Sequence, residues 1–355
     1  MAINKKFWEK KTILITGHTG FKGSWLSIWL NMLGANLYGY ALEPDTKPNM
    51  FETAGVKKTI KSNISDIRDY NQLLTVMKKC QPQIIFHLAA QPLVRQSYKD
   101  PLETYQTNIL GTANLLEAAK YVKSVRAIIV ITSDKCYENK ESNYAYKESD
   151  PLGGYDPYSS SKACAEIVTA AYRNSFFADS NVAIASARAG NVIGGGDWAA
   201  DRLVPDCIKA WIKNKTVEIR YPQAIRPWQH VLEPLAGYII LAEKLYKSGK
   251  KFAGAWNFGP DEKNTKNVVF VVGNIAKLWG NKAKWKKTGT KQPHEAILLK
   301  LNCSMAKTKL QWKLRWNTKQ TLEKTIQWYK TYLENPKNIK DITIEQIDQY
   351  MKDSK

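Results

Sequence analysis

A chain of 355 residues, 44% of them hydrophobic, can hold one large or two modest domains around a full apolar core. No apolar run is long enough to cross a bilayer, and the basic start from Met1 to Lys11 lacks the apolar segment of a signal peptide, so a cytoplasmic protein is expected. The formal charge of +21 sits on scattered lysines without an arginine-rich arm or nucleic-acid module, which favours a basic, solvated surface and an anionic small ligand over nucleic acid or membrane.

Five cysteines, odd in number and without a CxxC pair, argue against a disulfide framework and against a metal site. Thr12 to Thr16 is a short apolar run that ends at Gly17. The turn Gly17-His18-Thr19-Gly20-Phe21-Lys22-Gly23 follows, and then a helical pattern through Trp25, Leu26, Trp29 and Leu33. Strand, glycine-rich turn and helix in that order suit a dinucleotide. The glycines let backbone approach a diphosphate, and the helix N-terminus faces its negative charge.

Leu37 to Leu42 reads as a second strand. An acidic residue near its end would hold the ribose hydroxyls of NAD; Glu43 and Asp45 lie slightly beyond that position. No arginine stands there to receive a 2′-phosphate, so NAD is expected rather than NADP. Ile60 to Ile64 is a third strand that leads to Asp66-Ile67, where Asp66 is a candidate acceptor for an adenine amino group and an N-cap for a helix beginning at Tyr70. Ile84 to Phe86 is a fourth strand, and His87 inside its apolar run reads as a satisfied core histidine. Leu88-Ala89-Ala90 is small enough for backbone to lie close to a cofactor. Residues 101–120 form a helix, with Asn108 as a candidate brace.

The fifth strand, Ala127 to Ile131, delivers Thr132-Ser133-Asp134-Lys135 to the carboxyl edge of a sheet, where open α/β folds bind ligands. Asp156-Pro157 opens a long helix on which Tyr158 and Lys162 share one face. A lysine cation beside the phenol, next to an oxidised nicotinamide, lowers the phenol's pKa, so the tyrosinate can take a hydroxyl proton as hydride leaves. Val182 to Ser186 is a sixth strand. The expected fold is α/β: a Rossmann-type doubly wound parallel sheet with a smaller mixed α/β substrate domain. The first comprises residues 1–187 plus about 233–262, the second 188–232 and 263–340, and 341–355 form a terminal helix or tail.

These motifs, together with Ser133 to Tyr137, Arg188 to Trp198 and Ala224 to Val231, make the chain resemble the extended short-chain dehydrogenase/reductase family of nucleotide-sugar enzymes. Within it the resemblance runs to the branch that dehydrates CDP-glucose. It implies a tightly recycled NAD held by Gly17 to Gly23, Asp66, Ile67 and Leu88 to Ala90, with Tyr158 and Lys162 also at the cofactor. The implied reaction oxidises sugar carbon 4 through Tyr158, Ser133 and Lys162, then eliminates water across carbons 5 and 6, with Asp134 as acid. Dehydratases of dTDP-glucose carry Asp-Glu where this chain has Asp134-Lys135, which makes Lys135 the candidate base at carbon 5.

Arg226 is the candidate diphosphate clamp, because a guanidinium binds two phosphate oxygens at once. Gln91, Arg95, Asn191, Trp198, Arg202, His294 and Glu295 complete the expected substrate set. The resemblance further implies a homodimer or homotetramer paired through helices 101–120 and 157–177, and a product that feeds deoxysugar and surface-polysaccharide (O-antigen) biosynthesis. Rival readings are a dehydratase of UDP-N-acetylglucosamine or dTDP-glucose, an epimerase of the same family, and a non-catalytic NAD-binding or RNA-binding protein.

Overall fold

The computed structural model describes residues 3–288 and 298–353. Seven parallel strands form one sheet: β1 (Thr12–Thr16), β2 (Asn36–Ala41), β3 (Lys61–Ile64), β4 (Ile84–His87), β5 (Ala127–Ile131), β6 (Ala183–Arg188) and β7 (Gly254–Asn257). Their order is β7-β6-β5-β4-β1-β2-β3. The central strands are buried at every residue of β4, β5 and β6, which is why they read as continuous apolar runs rather than alternating ones. The order reverses between β1 and β4, so the carboxyl ends of those strands open the crevice in which such sheets bind ligands.

Helices cover both faces. They are α1 (Phe21–Met32), α2 (Tyr70–Cys80), α3 (Val94–Lys99), α4 (Pro101–Tyr105), α5 (Gly111–Lys120), α6 (Pro157–Ser175), α7 (Leu203–Ile212), α8 (Leu232–Ser248), α9 (Thr318–Glu334) and α10 (Ile339–Lys352). The helix expected over 101–120 is one continuous rod with a π-helical turn at Gln106–Leu110 between α4 and α5. That turn is where Asn108 sits, and a π turn inside a helix commonly marks a functional position. The N-cap of α2 is Asp69, whose carboxylate accepts from Gln72 N at 2.9 Å, and not Asp66 as the sequence suggested. Asp66 is instead engaged by Arg68, which donates from its backbone and guanidinium.

Beyond Arg188 the chain contributes short two-stranded pieces. Val192–Ile193 pairs with Gln229–His230, Val217–Ile219 with Trp285–Lys287, and Ile225–Arg226 with Lys266–Asn267. Two later segments return to the sheet: β7 pairs with β6, and α8 packs against β5 and β6. The terminal helix α10 is no loose tail. Its Tyr350 is fully buried edge-on against Trp29 of α1 and donates to Glu233 of α8 at 2.6 Å. Each fully buried aromatic or aliphatic side chain of this kind contributes about 1.5–3 kcal/mol.

Candidate active site

Two cavities meet over the carboxyl edge of the sheet, one of about 330 Å³ against the glycine turn and one of about 290 Å³ against the short strand pairs. Phe21, Lys22, Tyr158, Asp197 and Arg202 line both and form the seam between them. Lys162 and Thr132 face the glycine-turn cavity, whereas Ser133, Asp134 and Lys135 face the other. One four-residue stretch therefore spans the boundary, and Tyr158 stands on it.

The glycine turn is closed against its own backbone. Gly17 has φ +73°, and a Cβ there would lie 2.7 Å from Ala89 N; a Cβ on Gly23 would overlap the Gly17 carbonyl. Gly17, Thr19, Gly20, Phe21, Lys22 and Gly23 line the cavity, as do Asp66, Ile67, Leu88, Ala89 and Ala90. Glu43 and Asp45 line its far end. This cradle, a bare backbone turn at a helix N-terminus leading to a phenol and an amine, fits a dinucleotide. His18 does not belong to the cradle. Its ring is buried under β2 against Gly39, with Nε2 at 2.7 Å from Ser62 Oγ, and burial lowers its pKa to about 4.

The helix that carries Tyr158 and Lys162, α6, is set by its first turn. Pro157 stands at its start, and Asp156 caps it by accepting from Ser159 N at 2.9 Å. Ser97 of α3 receives the Tyr158 N–H at 3.0 Å. Asn108 donates to Ser161 Oγ at 2.8 Å and to Gln91 O at 3.0 Å, and accepts from Gln91 N at 2.8 Å. It thus ties the loop after β4 to the helix that carries Tyr158, so the candidate brace joins a loop to a helix and not strand to strand. The Gln91 side chain, expected at the substrate, donates to Thr104 and accepts from Leu93 N and lines neither cavity. His87 is the core residue expected, held between Thr16 and Thr112.

Electrostatics divide the polar groups. Burial pushes the Tyr158 phenol up to about 12, against a hydrogen bond with Ser133 that pulls it down. The lowering expected from Lys162 is therefore not what the protein alone supplies. Burial lowers Lys162 itself to about 8, opposed by the charge of Glu166. Asp134 is 2% exposed, and burial raises its carboxyl above the ordinary value despite Lys135, Ser133, Arg226 and Lys22 nearby. Burial thus favours the neutral, proton-donating form of this carboxyl relative to an exposed one. Ser133 Oγ donates to Asp134 Oδ1 at 3.0 Å, and the same single proton stabilises the Tyr158 oxygen when it turns to the ionised phenol. Lys135 is half-buried on the cavity wall.

Gly190 was not visible as a functional residue, yet it makes room for the acid. A Cβ there would overlap the Asp134 carboxylate, which no side chain larger than hydrogen permits. Asn191 Nδ2 stands 3.5 Å from Asp134 Oδ2. Arg226, 9% exposed, and Arg95 line the same cavity, and Arg95 and Arg220 both donate to Asp201 Oδ1. Arg202 pairs with Asp197 at 2.9 Å on the seam. Trp198 lines the glycine-turn cavity instead of the substrate side, packed edge-on against Tyr329. His294 and Glu295 lie outside the described residues.

The profile of the family described as GDP-mannose 4,6 dehydratase matches residues 14–325. The chain belongs to that family. Membership agrees with the resemblance read from the glycine turn and the Tyr158–Lys162 helix. The chain is 52% identical to a CDP-glucose 4,6-dehydratase of Salmonella typhimurium over 336 residues, 93% of this chain and 94% of the relative. Among solved structures, MoeE5 in complex with UDP-glucose and NAD superposes with a TM-score of 0.77 at 24% identity, over 90% of this chain and 99% of that one. A UDP-glucose-4-epimerase from Stenotrophomonas maltophila with bound NAD gives 0.80 at 19% identity, over 91% and 99%. Both are alike in fold.

Proposed function

We propose that this member of the GDP-mannose 4,6 dehydratase family converts CDP-glucose to CDP-4-keto-6-deoxyglucose with a tightly bound, recycled NAD. The observation that carries the reading is the seam. A phenol stands where a dinucleotide cradle meets a cavity holding a buried carboxyl whose pKa burial raises, and the relative of 52% identity is named for this substrate.

Bound NAD supplies a hydride acceptor for carbon 4 and a donor for carbon 6. Tyr158, linked to Ser133, takes the proton of the carbon-4 hydroxyl, and Lys162 holds a positive charge behind it. The resulting 4-ketone acidifies the proton at carbon 5, which Lys135 removes. Asp134 donates its proton to the hydroxyl leaving carbon 6 as water; when hydride is returned to carbon 6, Lys135 gives a proton back to carbon 5, and the proton taken up by Tyr158 balances through solvent the one lost by Asp134. Arg226 holds the diphosphate, with Arg95, Asn191 and Arg202 around the rest of the nucleotide sugar. The product belongs to the precursors of deoxysugars in surface polysaccharides such as O-antigen.

The test is direct: incubate the protein with CDP-, dTDP- and UDP-glucose, treat with alkali and read the enone absorbance. Signal with CDP-glucose well above the other two supports the reading; no signal with any sugar removes the dehydratase class. The role of Lys135 has its own check. Lys135→Met should slow solvent-deuterium incorporation at carbon 5 by about 100-fold or more, and unchanged incorporation would reassign the base.

Leu102, Leu110 and Ile167 stand exposed on the helical rod of α4 and α5 and on α6, which supports a homodimer through that face. Unpaired thiols, four of the five buried, suit the reducing cytoplasm.

A further inference from the structure

The two halves of the catalytic set come from different elements. Ser133 and Asp134 ride on the end of β5, and Tyr158 and Lys162 ride on α6, so their separation depends on whatever joins strand to helix. Backbone pairing does not, because a helix and a strand share no ladder. Beyond the packing of α6 on the turn Asp134–Cys136, a buried side chain supplies a joint. Glu166 lies on α6 one turn past Lys162, is 4% exposed, and accepts from Thr132 Oγ1 at 2.5 Å through Oε1. Thr132 is the residue directly before Ser133.

The other carboxylate oxygen of Glu166 is taken by β6. Ser186 Oγ donates to Oε2 at 2.5 Å and Arg188 Nη2 at 2.8 Å. Arg188, 3% exposed, is itself held: Nη1 donates to Tyr137 Oη at 2.7 Å and to Glu148 O at 3.1 Å, and the guanidinium lies 4.8 Å from the Tyr137 ring centroid. Tyr137 in turn donates to Asn257 Oδ1 on β7 at 2.7 Å. Burial pulls the Arg188 cation down, but Glu166 outweighs it and holds the group above its ordinary value.

A buried ion pair is a poor way to gain stability, since apolar side chains of similar volume serve as well or better. What it offers is fixed geometry, because a carboxylate with both oxygens saturated has one arrangement. Glu166 and Arg188 touch neither cavity, so they act through other residues.

We propose that the buried Glu166–Arg188 pair is a positioning device for the reaction assigned above: it clamps Thr132, and through it Ser133 and Asp134, at a fixed distance from Tyr158 and Lys162 on the adjoining helix. This inference rests on the proposed dehydration, because its readout is hydride transfer from carbon 4.

Thr132→Val gives the cleanest test. It removes one hydrogen bond of the clamp with little change of volume and leaves the ion pair and its charges in place. The expected result is a fall in kcat of at least about tenfold with KM for CDP-glucose within about twofold, since misplacement by a fraction of an ångström acts on the reacting geometry and not on ground-state binding. The deuterium isotope effect on kcat, read with substrate deuterated at carbon 4, should rise as hydride transfer becomes limiting. Thr132→Ser, which keeps the hydroxyl, should restore both.

Lost active fraction through misfolding would lower the rate without raising the isotope effect, so that outcome counts against the proposal, as does a Thr132→Val kcat within twofold of the unsubstituted protein. Glu166→Gln, which keeps the shape and removes the charge, provides the second variant and should move both readouts the same way. If the unsubstituted protein turns over none of CDP-, dTDP- or UDP-glucose, the proposed reaction fails and takes the positioning role with it. Turnover with an unaltered Thr132→Val overturns the positioning role alone.

Discussion

The two cavities that share Tyr158 are built in opposite ways. Much of the glycine-turn side comes from the first third of the chain, where bare turns, strand ends and the small Leu88 to Ala90 stretch line it, with Thr132, Tyr158, Lys162, Trp198 and Arg202 closing it from later segments. The other side is lined by charged side chains drawn from distant segments, with Arg95 and Arg220 on Asp201, and Asp134 in the notch left by Gly190. Backbone recognition fails when something is added, because a Cβ at Gly17 or Gly23 collides. Side-chain recognition fails when a charge is removed or displaced. The two halves should therefore respond to different substitutions and in different kinetic constants.

The largest effects, on the order of 100-fold, are expected from the glycine turn and from the acid. Gly23→Ala places a methyl group on the Gly17 carbonyl, which must move together with the turn. Overpacking of this kind costs about 2–3 kcal/mol, roughly 100-fold in NAD affinity, measurable by titration calorimetry. NAD affinity within a few-fold of the unsubstituted protein would show that the cradle yields, and the contrast between the halves would collapse.

The second of these is the acid. Asp134→Asn should lower product formation by about 100-fold or more while oxidation at carbon 4 proceeds, so that reduced cofactor accumulates and absorbs. The same residue sets a pH dependence. Its carboxyl is raised by burial and works when protonated, so elimination should fall as pH rises through that raised value, while at lower pH it is retained. Oxidation measured in the same samples should not follow that limb.

Gly190→Ala sharpens the comparison, since it is a steric change on the side-chain half. It should displace the Asp134 carboxylate and reproduce the Asp134→Asn pattern more weakly, about tenfold, with NAD affinity unaltered. An equal loss of NAD binding would mean that the halves are not separable. The smallest effect is expected for Arg226→Met: a rise of about tenfold in KM for CDP-glucose with kcat nearly unchanged, the mark of an interaction made equally in ground and transition states.

Much of the first half was legible because its information is local. A strand, a glycine turn and a helix are consecutive, their periodicities are strong, and Tyr158 and Lys162 share a face by helical spacing alone. Local reading also misled where residue type stood in for orientation. His18 lies within the glycine turn but points beneath β2, Gln91 follows a cofactor-facing strand but serves Thr104 and Leu93, and Trp198 lines the other cavity from the one expected.

The sequence by itself determined the doubly wound sheet and offered the glycine turn, the Tyr158–Lys162 helix and the polar stretch Thr132 to Lys135 as candidates, because each follows from periodicity, from a strand end or from a motif. Only the tertiary structure decided how those groups face one another. The notch at Gly190, the brace at Asn108 and the Glu166–Arg188 clamp each join residues separated by 20 to more than 50 positions. No pattern along the chain records a side-chain contact made across the sheet. Hydrogen bonds and steric fit between non-neighbouring elements exist only once the core has closed, and they set the distances on which the chemistry depends.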